Sequence, residues 1–254
     1  MPIKQAIFTS SDDASDYLAN LIVRRINDFS PSASKPFVLG LPTGSSPEGV
    51  YARLIQAYKD KRVSFKYVVT FNMDEYVGLK PSDPQSYHYF MFNKFFNHID
   101  IPRENINILN GLAEDVEKEC KDYEAKIHKY PRINFFMGGL GPEGHLAFNE
   151  AGSKRTSITR EVTLVQSTID ANSRFFGNDP SKVPKTALSV GISTILDNTD
   201  EIAIIVLGLA KHFALDKTIN GKRNDPRYPS SYLQDHHNVL IVSDTGAAGL
   251  KSKL

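Results

Sequence analysis

Between Gly138 and Glu150 the chain places Glu143, His145 and Glu150 on a stretch opened by Gly138, Gly139, Gly141 and Gly144, directly after the apolar run Ile133 to Met137. Imidazole changes charge near neutral pH, and a nearby carboxylate fixes its tautomer and stabilises its cation. A histidine with glutamates on both sides is therefore suited to passing protons. The same residues would serve as an ordinary charged surface turn, so other segments must decide between the two readings.

Three more polar segments follow apolar runs. After Phe37 to Leu41 come Thr43, Gly44, Ser45 and Ser46, then Pro47, which suits the first turn of a helix. Small hydroxyl residues before free helix N–H groups form an anion cradle, most naturally for phosphate, or a plain helix cap. No Gly-Lys-Ser/Thr follows, which disfavours a nucleoside triphosphate. After Tyr67 to Phe71 stand Asp74 and Glu75. One of the pair suits a base pointing into a cleft and the other a structural role; neither a histidine nor a third carboxylate lies at metal-ligand spacing. After Ile202 to Leu207 comes Lys211, placed to meet a phosphate as a point charge. Schiff-base chemistry would need a neighbour that lowers its pKa, and none is evident. Arg174, among Asn172, Phe175 and Phe176, suits bidentate phosphate binding or a surface ion pair. His88 reads as a packed or capping residue and Cys120 as a packed thiol. No Gly-x-Ser-x-Gly elbow is present. Together these residues describe phosphate-binding groups facing an aspartate and a carboxylate-flanked histidine. That set suits cofactor-free proton transfer on a small phosphorylated metabolite.

The elements that must position them follow from the hydrophobic pattern. Strand-length apolar runs at Phe37 to Leu41, Tyr67 to Phe71, Ile133 to Met137, Ile202 to Leu207 and Val239 to Val242 alternate with amphipathic helical stretches. The latter are Ala14 to Phe29, Pro47 to Asp60, Ser86 to Phe96, Val116 to Tyr130 and Lys211 to Ile219. This predicts an α/β fold, an open, mostly parallel sheet with helices on both faces and ligands beyond the carboxyl ends of the strands. The chain of 254 residues is 41% hydrophobic and 23% charged, with a net charge of +1. Such a balance points to no nucleic acid and no membrane as partner. The single cysteine rules out an intramolecular disulfide and fits a reducing, cytoplasmic setting. The terminal Ser252-Lys253-Leu254 is the peroxisomal import tripeptide where that machinery exists.

Four segments carry a resemblance: Phe37 to Gly44, Val68 to Gly78, Gly144 to Glu150 and Asn172 to Phe176. Together they are similar to the glucosamine-6-phosphate deaminase family, over about Ala6 to Asp244. The resemblance implies a Rossmann-like fold, no cofactor and no metal, with the chain 1–254 as one unit and a mobile lid at about 152–176. It implies amino-sugar catabolism: glucosamine 6-phosphate and water become fructose 6-phosphate and ammonia. Carried over, Asp74 is the base for enolisation, and Glu143, His145 and Glu150 open the sugar ring. Thr43, Gly44, Ser45, Ser46, Arg174 and Lys211 hold the phosphate. Burial is expected to raise Asp74 toward the working pH. Members of the family are known as hexamers and as smaller forms, which leaves a homo-oligomer open.

Two departures stand out. The family usually has aspartate where this chain has Glu143, which changes the expected carboxylate–His145 geometry. Ala151 replaces the usual proline before the lid. Ser153 and Arg160 match the family's site for N-acetylglucosamine 6-phosphate, but Val162 stands in place of a lysine, so weak or absent allosteric activation is expected. The alternatives are a non-catalytic sugar-phosphate sensor on the same scaffold and a 6-phosphogluconolactonase-like hydrolase.

Overall fold

The apolar runs form the strands of a parallel sheet. The computed structural model describes residues 3–250. In chain order the elements are β1 (Lys4–Phe8), α1 (Ser11–Phe29), β2 (Phe37–Leu41), α2 (Glu48–Lys59), β3 (Val68–Asn72), β4 (Asp74–Tyr76) and α3 (Tyr87–Lys94). They continue with β5 (Ile106–Asn107), α4 (Val116–Ile127), β6 (Ile133–Gly139), β7 (Arg160–Thr163), α5 (Gln166–Asn172), β8 (Thr186–Ser189) and α6 (Ile192–Asn198). The last are β9 (Thr199–Val206), α7 (His212–Ile219) and β10 (Val239–Asp244).

Seven strands pair in parallel in the order β1-β10-β9-β6-β2-β3-β5. Side chains of successive strand residues point to opposite faces, and each face has its own core. Ile202, Ile204 and Val206 of β9 join Tyr123 and Ile127 of α4, Ile195 of α6 and Leu215 of α7. Ala203 and Ile205 of the same strand join Leu18 and Ile22 of α1, Leu54 of α2 and Met91 of α3. Because both faces are covered, the strands read as continuous apolar runs.

The five predicted strands and five predicted helices are present, with shifted ends. The structure adds elements that the pattern did not show. β1 and β5 are edge strands, and α6 is a single short helix. A second, antiparallel sheet has the order β4-β8-β7. Its strands are only three to four residues long, β4 and β8 mostly buried and β7 mostly exposed, so none carries a long apolar run. They cover a small core of Tyr76, Phe148, Val162, Leu164, Phe176, Val183 and Ala187. The segment 152–176, expected as a lid, is thus built in part into this sheet through β7, and continues as α5 and the 3-10 turn Ser173–Phe176. Ser252-Lys253-Leu254 lies outside the described residues. Among the described residues no helix is long and apolar enough to cross a membrane.

The two sheets are tied together by a buried carboxylate. Glu124 of α4 accepts the Thr159 amide at 2.8 Å, just before β7, and the Thr194 hydroxyl of α6. Replacing it by alanine leaves a buried N–H without a partner. Glu124→Ala is expected to cost about 2 kcal/mol, read as a lower urea midpoint at an unchanged slope.

Candidate active site

From β2 the chain builds outward through β3 and β5, then returns to place β6 on the other side of β2. Connections leaving β2 and β6 diverge at this switch in strand order and open a crevice at the carboxyl ends of the strands. A cleft of about 450 Å³ occupies it. Its walls come from the segments after β2, β3, β6 and β9, roofed by α5 and the turn that follows it.

One side of the cleft is built for an anion. The segment Thr43 to Ser46 precedes α2, whose first turn has no side-chain cap. Apart from the Glu48 amide, which donates to the Ser45 carbonyl at 3.4 Å, its first-turn N–H groups are therefore open to a ligand. Gly44 has φ +99°, which side-chain-bearing residues rarely adopt. From the far walls come Lys211, in the 3-10 turn Leu209–Lys211, and Arg174, whose guanidinium lies 4.6 Å from the centre of the Phe175 ring. Neither makes an ion pair among the described residues. Burial first, and then the Arg174 charge, pulls the Lys211 ammonium down to about 8. Two cations that repel each other beside open amides form a site whose charge a phosphate would balance.

The same cleft holds the acids. Asp74 begins β4, only 6% exposed, and burial followed by the neighbouring Glu75 charge raises its pKa well above the usual carboxylate range. Glu75 points the other way. Its oxygens accept the amides of Tyr76, Tyr87 and His88 at 2.8–2.9 Å, which ties β4 to the first turn of α3. The adjacent acids thus divide as expected, one toward the cleft and one structural. His88 gives its amide to Glu75 and stacks its ring on Phe92.

His145 lies on the loop after β6. A Cβ at Gly141 would fall 2.0 Å from His145 Nε2, so only glycine leaves room for the imidazole. The loop is held by Asn149, whose Nδ2 donates to the carbonyls of Leu146 and Val190 at 2.8 Å. Ala147, in the strained left-handed region at φ 52°, stays there because its neighbours are fixed. The His145 side chain is 17% exposed, and its Nδ1 lies 3.7 Å from Glu150 Oε2. Nδ1 and Glu150 Oε1 have no hydrogen-bond partner. Burial, with a smaller push from the Lys211 charge, lowers His145 to about 4, so the free site holds a neutral imidazole. Glu150 is raised by burial, against the Thr168 hydroxyl and the Val165 amide.

The structure brings Thr43, Gly44, Ser45, Ser46, Asp74, Glu143, His145, Arg174 and Lys211 to one cleft. Glu150 stands behind His145 and does not line it. Glu143 departs from expectation: its Oε2 accepts the Ser167 hydroxyl at 2.8 Å, and it makes no ion pair with His145. The longer side chain carries the carboxylate past the ring to α5. Sequence reasoning gave no role to Tyr76, which lines the cleft and whose hydroxyl accepts Asn172 Nδ2 at 2.8 Å. Its place inside the Asp74-Glu75-Tyr76 run was the available signal. Arg160 spends its guanidinium on Asn149 Oδ1 and Ser153 Oγ, while Val162 is buried. Cys120 is packed in the core, its thiol raised by burial to about 11. Among the described residues no three His, Cys, Asp or Glu side chains are grouped to hold a metal.

Fold and cleft together define an α/β protein with an anion cradle sharing one cleft with a desolvated acid and imidazole at a strand-order switch. Residues 9–242 match the family described as glucosamine-6-phosphate isomerases/6-phosphogluconolactonase, and the chain belongs to that family. It is 73% identical to a glucosamine-6-phosphate isomerase of Candida albicans, over 99% of this chain and 100% of that one. It is 54% identical to a glucosamine-6-phosphate deaminase of Glaesserella parasuis, over 93% of this chain and 89% of the relative. A solved monomeric glucosamine-6-phosphate deaminase superposes with a TM-score of 0.92 at 36% identity, covering 98% of this chain and 100% of that one.

The desolvated imidazole should be visible directly. In a nitrogen-15 NMR titration His145 is expected to stay neutral until the pH falls to about 4. Protonation near the ordinary histidine pKa would contradict the geometry.

Proposed function

We propose that this protein converts glucosamine 6-phosphate and water to fructose 6-phosphate and ammonia. The observation that carries the reading is Asp74, a buried carboxyl placed in one cleft with open amides and two unpaired cations, in a chain this similar to named isomerases and deaminases. A 6-phosphogluconolactonase needs a base for water but none for a carbon acid. The buried acid of raised pKa therefore favours the deaminase.

The phosphate sits on the Thr43 to Ser46 segment, Lys211 and Arg174, which fixes the sugar with its C1 and C2 toward the acids. Neutral His145 takes the proton of the C1 hydroxyl as the bond from C1 to the ring oxygen breaks. The imidazolium hands that proton to the ring oxygen, which becomes the C5 hydroxyl, and His145 is neutral again. Glu150, at 3.7 Å, stabilises the imidazolium formed in this step. The product is an open aldehyde. Asp74 removes the proton at C2, giving an amino enol, and its carboxyl returns a proton to C1. The C2 carbon is left as an iminium. Water adds there, ammonia leaves, and the ketone of fructose 6-phosphate forms. A carboxylate raised by burial is a stronger base for the C2 proton than one in water.

Incubation with glucosamine 6-phosphate, without added metal or nucleotide, is expected to release fructose 6-phosphate and ammonia in equal amounts. Asp74→Asn should lower kcat by at least about a thousandfold, in line with loss of a general base. Binding of the sugar phosphate without ammonia release would instead identify a sensor.

Lys211 gives a pH test with a defined sign. Its pKa is lowered from 10.5 to about 8, so the cation is complete below that pH and is lost above it. KM should therefore be flat at neutral pH and rise as the pH passes about 8, and Lys211→Arg should abolish that rise.

A further inference from the structure

One hydrogen bond across the cleft has no part in the reaction as proposed. Ser167 Oγ, at the second residue of α5, donates to Glu143 Oε2 on the loop after β6 at 2.8 Å. Both residues line the cleft. The carboxylate nearest the His145 ring is that of Glu150, and Glu143 makes no ion pair with it among the described residues. The imidazole and Glu143 thus share a loop but not a contact.

Helix α5 has little to hold it in place by itself. It is seven residues long, and no side chain caps its N-terminus at Val165. A helix of that length is not stable alone in water and takes its position from what it touches. At its first turn Ser167 meets Glu143, both of them exposed, and Ile169 packs against the small core around Tyr76. Between these two, Thr168 is buried against Glu150. At its last residue, Asn172 Nδ2 donates to the Tyr76 hydroxyl at 2.8 Å. The chain then enters the 3-10 turn that carries Arg174. The aim of Arg174 into the anion side of the cleft is therefore set by how α5 is fastened at both ends.

We propose that Glu143 is a positioning residue rather than a partner of His145: through Ser167 it fastens the first turn of α5 and thereby aligns Arg174 with the substrate phosphate. The substrate named here rests on the function proposed above; the fastening itself does not. Glu150 alone then serves the imidazole. This arrangement predicts that the Glu143–Ser167 pair governs binding and leaves the titration of the chemical step alone.

The test is a double-mutant cycle of Ser167→Ala and Glu143→Ala, with steady-state kinetics on glucosamine 6-phosphate. Each single variant should raise KM by about three- to tenfold, the range of one hydrogen bond, with the pH profile of kcat unmoved. The double variant should be no worse than either single one, and Ser167→Thr should restore the KM. A loss of kcat of a hundredfold or more in Glu143→Ala with a displaced pH profile, while Ser167→Ala is silent, would overturn the proposal. So would additive effects on KM. Should the unaltered protein release no ammonia, the functional reading fails and the fastening is read from amide hydrogen exchange over residues 166–172 in the ligand-free protein. Faster exchange in both single variants, and no faster in the double, supports the fastening. Unchanged exchange in either single variant refutes it.

Discussion

The parallel pairing of β2 with β6 is the constraint on which the rest depends. The chain builds outward from β2 in one direction and from β6 in the other. Their following segments must therefore part at the carboxyl edge, leaving a crevice with no backbone across it. One segment carries the small hydroxyl residues, the other the histidine. Asp74 and Lys211 reach the crevice because the strands they follow, β3 and β9, lie beside one of these two, and Arg174 is brought in by α5 and the turn after it. The anion cradle and the proton-transfer groups meet in one cleft by topology.

Charge balance inside the crevice follows from solvation. Asp74 is buried and raised, His145 is buried and neutral, and Lys211 is lowered, all with burial as the first cause. Among the described residues neither Asp74 nor Lys211 has a neutralising partner of its own, and His145 has only Glu150 at 3.7 Å. A buried group without such a partner is costly. That cost is carried by contacts around the site: Glu75 with its three amides, Asn149 bridging two carbonyls, and Glu124 joining two sheets. The most heavily hydrogen-bonded side chains here are those that do not react. They keep the reacting ones in places they would not choose.

Much of this was legible in the residues. Long apolar runs report burial on both faces, so β2, β3, β6, β9 and β10 could be read directly. The division of labour between Asp74 and Glu75 followed from two adjacent acids that cannot face the same way. The second sheet was hidden because its strands are three to four residues long and pair across large gaps in sequence. Three or four residues are too few to show a period, and look the same in a loop or a strand. The site was legible where residue type fixes chemistry, as for Lys211 and His145. It was illegible where reach decides: whether a glutamate touches the imidazole or passes it depends on one methylene and on a helix brought in from elsewhere. Glu143 illustrates that limit.

The position of β1 has a consequence for how the chain is made. This strand pairs only with β10, Lys4 beside Leu240 and Phe8 beside Asp244, and the Thr245 amide closes on the Phe8 carbonyl. The earliest strand synthesised must wait for the latest. Pairings so distant along the chain are slow to form, so β1 emerges from the ribosome with its edge exposed and with no partner yet in existence. The sheet can be completed only after nearly the whole chain has been translated. Until then α1, which packs on β9 and β10 as well as on α2, has only part of its seat. Completion of this sheet waits on β10, and a nascent chain stalled short of β10 would present an unpaired strand to the chaperones around it.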